Sequence, residues 1–206
     1  MSRSPAERTG RGRQAEARRN DAGVLDAARV VFAAQGPDAP MSAVAAEAGV
    51  GMGSLYRRFA TKDELLEHLF MTSLEQQIAA ASAALADADP WAGVETYVRT
   101  CVQLRVGVFS SFAGKVPVSE QTMQASKQAH RLLDKVIARA HAAGLLRPDA
   151  GAVDVYQLIE LFSRRRIGDD APRLVAVMLA GLRFPGYGEL PGDRPAWSGY
   201  GARWNA

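Results

Sequence analysis

Apolar residues recur along this chain at the spacing of an α-helix, and no stretch shows the strict alternation of a half-buried strand. Val24, Ala28 and Phe32 lie four residues apart and predict a first helix. Gly36 followed by Pro37 is a stop signal for that helix. The pattern therefore predicts an all-α fold.

The next stretch predicts two short helices and the start of a long one. Met41–Ala48 forms the second helix, and Ser54–Phe59 forms the third after a glycine-containing break at 49–51. Thr61 and Glu64 have the spacing of a capping box, in which each side chain accepts a backbone N–H at the helix start. This capping box opens a long fourth helix.

The C-terminal half predicts four more helices with recognisable starts. Their caps are Asp89 with Pro90, then Ser119, Asp149 and Asp170, and the helices cover 91–112, 119–143, 153–162 and 174–182. The last two carry more apolar surface than one packing face needs. We therefore predict that they form the interface of a homodimer.

The composition excludes several kinds of site. The 206 residues include one cysteine and three histidines, too few for an internal disulfide or a cysteine-rich metal site. No apolar run reaches the roughly 18 residues of a membrane-spanning helix. No Ser/His/Asp, Cys/His or paired-carboxylate arrangement stands out. We therefore expect a cytoplasmic protein that is not an enzyme, with no cofactor and no membrane partner.

Both ends of the chain differ in composition from the middle. Residues 1–19 are rich in arginine and poor in apolar side chains, so they cannot bury enough surface to order themselves. This flexible basic arm, which ends at Arg18 and Arg19, either contacts DNA or is a solvated tail without a role. Residues 185–206 are rich in glycine, proline and aromatic residues, and they predict a loose tail that its aromatic rings pin in part.

Residues 41–59 have the layout of a helix-turn-helix. Ala45 is small enough for two helices to cross closely, Gly49 accepts a positive φ in the turn, and Leu55 is an inward apolar anchor. The glycines at 49–53 also resemble part of a dinucleotide-binding loop, but such a loop follows a β-strand and none is predicted here. Tyr56 and the two arginines after it suit phosphates and guanine edges.

The stretch MSAVAAEAGVGMGSLYRRFATKDELL, residues 41–66, resembles the DNA-binding domain of the TetR (tetracycline-repressor-like) transcriptional regulators. The matching elements are Ala-Gly-Val at 48–50, Gly-x-Leu-Tyr at 53–56, Phe59 and Lys-x-x-Leu at 62–65. The resemblance implies an N-terminal three-helix domain at 20–66. It also implies a C-terminal helical domain for ligand binding and dimerisation at 67–184.

The resemblance also implies a function, namely a homodimeric repressor that binds double-stranded operator DNA and is released from it by a small-molecule effector. The third helix then lies in the major groove, with Tyr56 and Lys62 at phosphates and Ser54 close to the DNA. The expected DNA-binding residues are Arg18, Arg19, Met52, Ser54, Tyr56, Arg57, Arg58, Thr61 and Lys62.

Three positions depart from the family pattern. Pro40 stands where the family usually has a threonine that caps the second helix and touches phosphate. Gly51 and Met52 replace residues that are often polar. Because each change removes a polar contact, an alternative stays open: a small-molecule or protein-binding module of the same fold with weak or lost DNA binding.

A binding cavity needs apolar walls and a few polar groups that orient the ligand. We predict such a cavity between the helices at 91–112 and 119–143. Its expected lining is Trp91, Val98, Val102, Arg105, Phe109, Phe112, Met123, Lys127 and His130. An inward Arg105 or His130 predicts an anionic or carbonyl-bearing ligand, although a histidine in the setting of His130 most often lies on a solvated helix face.

Overall fold

The computed structural model of the chain describes residues 22–112, 118–164, 171–183 and 188–198, with side chains for all of them except 109–111, 164 and 171. Throughout these ranges the secondary structure is helical, apart from one isolated antiparallel bridge. The predicted all-α class is confirmed. The chain divides into two compact units, which we call the N-terminal unit (Met1–Glu64) and the C-terminal unit (Leu65–Ala206).

The described part of the N-terminal unit, residues 22–64, contains three helices and the beginning of a fourth. Helix α1 covers 22–35, α2 covers Met41–Ala48 and α3 covers Met52–Tyr56. The bounds predicted for α2 are confirmed, whereas α3 begins two residues earlier than predicted and ends at Tyr56. All three helices contribute buried side chains to the core: Val24, Ala28, Phe32, Val44 and Leu55.

The C-terminal unit contains most of α4 and all later elements. Their bounds are Lys62–Ala86 for α4, Pro90–Gln103 for α5, Glu120–Ala142 for α6, Ala152–Arg164 for α7 and Ala171–Leu182 for α8. The predicted caps of α5 and α6 are confirmed, because Asp89 accepts from the Trp91 N–H and Ser119 from the Thr122 N–H. The predicted cap Asp170 lies outside the described residues.

The helix predicted at 91–112 is interrupted, and that prediction is wrong beyond residue 103. After α5 ends, Arg105 adopts a positive φ of 53° and a 3₁₀ segment, Val106–Phe112, follows. The cause is a close approach to α7: a Cβ at Gly107 would lie 2.4 Å from the Glu160 Cα. The Gly107 N–H also donates to Ser163 Oγ at 3.2 Å. The segment leaves the α5 axis in order to reach this contact.

Helix α6 holds α4 near both of its ends. Glu67 Oε1 accepts from the Thr122 hydroxyl at 2.6 Å and from the Ser119 N–H at 3.2 Å. At the other end, Arg139 donates to carbonyl oxygens of Ala84, Leu85, Asp87 and Ala88. The last carbonyls of a helix have no partner within it. Arg139 therefore caps the C-terminal end of α4 through the tertiary structure.

The prediction that Asp149 caps α7 is wrong. Asp149 instead pairs with Arg147 and accepts the Leu190 N–H at 2.8 Å, and the Arg147 guanidinium holds the pKa of the Asp149 carboxyl well below its usual range. Asp154, which lies in the first turn of α7, caps the start of this helix, because its Oδ2 accepts the Gly151 N–H. Asp149 is thus the anchor of the C-terminal segment 188–198.

Candidate functional site

The turn between α2 and α3 has the geometry that a helix-turn-helix needs. Gly49 lies in the left-handed region at φ 64°. Its N–H donates to the Ala46 carbonyl at 3.2 Å, and the Val50 N–H donates to the Ala45 carbonyl at 3.0 Å. These two bonds form a Schellman motif, which ends a helix and reverses the chain locally. At the other end, Pro40 provides no side-chain cap for α2, as expected.

Helix α3 presents one polar face to solvent. Leu55 is completely buried and anchors the helix from the inside. Met52 and Tyr56 lie one turn apart and are 37% and 47% exposed, and Arg57 is exposed next to them. Ser54 is half-buried. The exposed face therefore carries the aromatic hydroxyl and the guanidinium that the sequence predicted.

Arg58 differs from its neighbour Arg57. It is half-buried, because it follows Leu55 by three residues and lies on the same inward side. Its backbone N–H donates to the Leu55 carbonyl at 3.0 Å. Arg57 is therefore the more accessible of the two arginines, and the contact of Arg58 with DNA stays a prediction.

The start of α4 adds a second group of candidate contacts. Thr61 Oγ1 accepts from the Glu64 N–H at 3.1 Å, and Glu64 Oε2 accepts from the Ala60 N–H at 2.7 Å. The exposed Thr61 hydroxyl can still donate a hydrogen bond to an external acceptor. Lys62 is the first residue of the helix, where the N–H groups and the macrodipole favour an anion. Arg18 and Arg19, the other predicted contacts, lie outside the described residues.

We define the recognition face as six exposed or half-exposed residues of α3, of the turn that follows it and of the start of α4, each of which the sequence predicted to bind DNA. Its members are Met52, Ser54, Tyr56, Arg57, Thr61 and Lys62. The face combines cations with hydroxyl groups, and the exposed carboxylates Asp63 and Glu64 lie beside it in the first turn of α4. Such a set suits a phosphate backbone and base edges.

The residues of the predicted effector lining differ in their burial. Trp91, Val98 and Phe112 are buried in the C-terminal unit. Val102, Arg105 and His130 are half-buried, and the side chain of Phe109 lies outside the described part.

Met123 and Lys127 are exposed, so their predicted place in an interior wall is wrong for the single chain. They lie off the buried stripe of α6, which runs through Ala129, Leu133, Val136 and Ala140. The two residues therefore point away from the core of the C-terminal unit.

A row of buried polar side chains between α5 and α7 was not predicted. It consists of Tyr97, Cys101, Tyr156 and Glu160, all less than 8% exposed. Burial raises the pKa of Cys101 to about 12 and raises the pKa of both tyrosines. Cys101 is therefore a protonated core thiol rather than a redox sensor. The periodicity could not indicate this row, because tyrosine and cysteine count as apolar in such a pattern.

Comparisons with known proteins identify the family. The model of the bacterial regulatory proteins of the tetR family matches residues 24–69, and that of the SbtR-like transcriptional regulator C-terminal domain matches residues 89–184. The chain belongs to the TetR family of transcriptional regulators. A search of curated proteins finds no match.

Solved structures of TetR-family regulators resemble the chain over most of its length. A regulator from Mycobacterium vanbaalenii is 28% identical, with a TM-score of 0.56 over 82% of this chain and 98% of that one. A regulator from Streptomyces coelicolor is 25% identical, with a TM-score of 0.52 over 80% and 98%. AibR, solved with isovaleryl coenzyme A and operator DNA, is 16% identical, with a TM-score of 0.61 over 82% and 100%, and shares the fold.

Proposed function

We propose that the chain is a ligand-responsive repressor that binds a palindromic operator as a homodimer in the cytoplasm. The observation that carries this proposal is the recognition face behind the Schellman turn. Tyr56, Arg57 and Lys62 provide three groups for phosphates or bases within seven residues of chain. Family membership supports the same role, because TetR regulators act by binding DNA and not by catalysis.

Dimerisation rests on the surface of the last two helices. Leu161, Leu174 and Val177 are exposed by 53%, 43% and 62%, and large apolar side chains exposed on two successive helices favour contact with a partner. A second copy of the chain would cover them. The dimer would hold two recognition helices near successive major grooves, about 34–36 Å apart.

Release by an effector requires two states of the dimer. A small molecule weakens operator binding only if it binds the non-operator state more tightly. The match of residues 89–184 to the C-terminal domain of an SbtR-like regulator and the likeness in fold to AibR, which was solved with isovaleryl coenzyme A, support an effector site in the C-terminal unit.

The DNA-binding part is tested by selecting operator sequences from random duplexes with the full-length protein. We expect an enriched palindrome and an affinity that falls steeply with salt, because phosphate contacts release counterions. Arg57→Ala should weaken binding at least tenfold. Arg99→Ala, at an exposed arginine of α5, is the matched control and should leave the affinity unchanged. Selection without any enriched palindrome would favour the binding module that lost DNA affinity.

The dimer is tested by sedimentation of Val177→Asp. The added charge should give a folded monomer at micromolar concentration, whereas Gln128→Asp on the exposed side of α6 should stay dimeric. Leu158→Asp is a poorer test, because Leu158 packs against the core and its replacement would also unfold the unit. A monomeric unmodified protein would overturn the proposed dimer.

A further inference from the structure

The C-terminal unit has a cavity that none of the predicted effector residues lines. Its volume is about 420 Å³, within the range of small-molecule sites. One face of α6, the residues 151–153 at the start of α7 and the residues 194–197 of the C-terminal segment line it. The cavity exists because segment 188–198 packs against these helices.

Trp197 fixes this segment in place through three contacts. Its indole stacks on His130 at 3.8 Å with an interplanar angle of 14° and meets Tyr156 edge-on at 5.7 Å. Its Nε1–H donates to Asp134 Oδ1 at 3.0 Å. Stacked and edge-on arrangements are the favoured geometries of aromatic pairs. One wall of the cavity is therefore an ordered aromatic ring.

The two ends of the cavity differ in charge. Asp134 and His141 lie on the same face of α6 seven residues apart, which is about 10 Å along the helix. Asp134 marks the end beside Trp197. Its second oxygen can accept a further hydrogen bond.

The opposite end carries the cation Arg194. The stem of Arg194 lies against Gly151, where an added Cβ would be 2.8 Å from the Arg194 Cδ. Its Nη1 is 3.5 Å from the Pro148 carbonyl oxygen, so this bond is a long one. His141 faces the same end, with Nε2 3.1 Å from the Arg147 carbonyl. A guanidinium in this position can bind a carboxylate through two parallel N–H groups.

Between the charged ends the lining is apolar. Ile137 and Ala138 form the α6 side, and Ala152 and Val153 form the α7 side. A ligand that pairs with both charged ends and contacts the apolar lining has a negative group at one end, an aliphatic body and a positive group at the other end.

We propose that this cavity is a second small-molecule site and that it binds an aliphatic ω-amino carboxylate. The carboxylate pairs with Arg194, the chain lies over Ile137 and Val153, and the ammonium pairs with Asp134. This site adjoins His130 of the predicted effector lining through the Trp197 ring, and it does not depend on DNA binding.

The test is calorimetry on the full-length protein without DNA, with 6-aminohexanoate, hexanoate and hexylamine as probes. We expect 6-aminohexanoate to bind at least fivefold more tightly than either probe with one charge. Arg194→Gln should weaken 6-aminohexanoate and hexanoate but not hexylamine. Asp134→Asn should weaken 6-aminohexanoate and hexylamine, while its amide oxygen still accepts the Trp197 N–H.

The matched control is Arg173→Gln, at an exposed arginine of α8 outside the cavity, and it should leave all three affinities unchanged. The proposal is overturned if 6-aminohexanoate does not bind, if the three probes bind equally, or if Arg194→Gln leaves the binding of hexanoate unchanged. Because no DNA is present, each of these results leaves the proposed regulatory function standing.

Discussion

The recognition face and the C-terminal unit are built in opposite ways. The bonds that shape the recognition face join residues three to five positions apart, as in Thr61 with Glu64 and Ala45 with Val50. The bonds that shape the C-terminal unit reach much further. Gly107 and Ser163 are 56 residues apart, and Asp134 and Trp197 are 63 apart.

The difference explains which part of the molecule carries a readable signature. A turn that is fixed by its own glycine and caps depends on a short run of residues, so those residues form a motif. A site that is assembled from distant segments has no such run. Substitutions in the two regions should therefore differ in size and in kind.

The largest expected effect is at Gly107, where the constraint is long-range. Gly107→Ala places a Cβ 2.4 Å from the backbone of α7, which cannot yield as a flexible side chain would. We expect a loss of about 3 kcal/mol or more in the free energy of unfolding, measured by urea denaturation.

Gly49→Ala is the local counterpart of that change. Nothing lies within 4 Å of an added Cβ there, and only the positive φ of 64° opposes it, at a cost of about 1–2 kcal/mol. Gly53→Ala has neither obstacle, and because glycine loses more backbone entropy than alanine in a helix, it should leave the free energy of unfolding unchanged or raise it by up to about 1 kcal/mol. A greater loss in the free energy of unfolding for Gly49→Ala than for Gly107→Ala would contradict the expected difference between the local and the long-range constraint.

The second effect concerns the cap that α6 provides for α4. Arg139→Met keeps the apolar stem but leaves four carbonyl oxygens without their charged donor. We expect a loss of about 2 kcal/mol by the same measurement, since hydrogen bonds to charged groups contribute about that much. Arg131→Met, at an exposed position of the same helix, should change little. Equal losses in both variants would mean that the cap contributes nothing.

Features that depend on neighbouring residues can be predicted from the sequence. The bounds of α2, the cap Ser119 and the turn at Gly49 are of this kind. The roles of Asp149 and of the residues after 103 could not be predicted in this way, because there a distant partner outweighs the local signal. Asp149 has the side chain of a helix cap, but Arg147 and segment 188–198 occupy it.

Burial of His130 beneath Trp197 has a smaller effect on the free energy of unfolding, and this effect depends on pH. Desolvation lowers the pKa of His130 from 6.5 to about 4, so the folded state keeps the ring neutral where the unfolded state protonates it. The contribution of the neutral His130 ring to the free energy of unfolding should therefore be fully present above pH 6.5 and be lost as the pH falls toward 4. Because part of the ring is exposed, we expect about 1 kcal/mol over this range.

His130→Phe is the control for this pH dependence. Its ring can still stack on Trp197 but does not titrate, so its stability should change less between pH 6.5 and 4 than that of the unmodified protein. Thermal unfolding at several pH values in this range measures the difference. Parallel pH profiles for the two proteins would show that His130 is not responsible.

The smallest expected effect is a gain in the free energy of unfolding at Arg105, where backbone strain accompanies the long-range contact between the 3₁₀ segment and α7. Arg105 adopts φ 53° so that the following 3₁₀ segment can approach α7. A left-handed non-glycine residue costs about 1–2 kcal/mol, whereas glycine adopts this conformation freely but loses about 0.5–1 kcal/mol of backbone entropy on folding. Arg105→Gly should therefore stabilise the protein by about 0.5 kcal/mol in urea denaturation. A net loss would mean that the Arg105 side chain contributes more packing than its backbone strain costs.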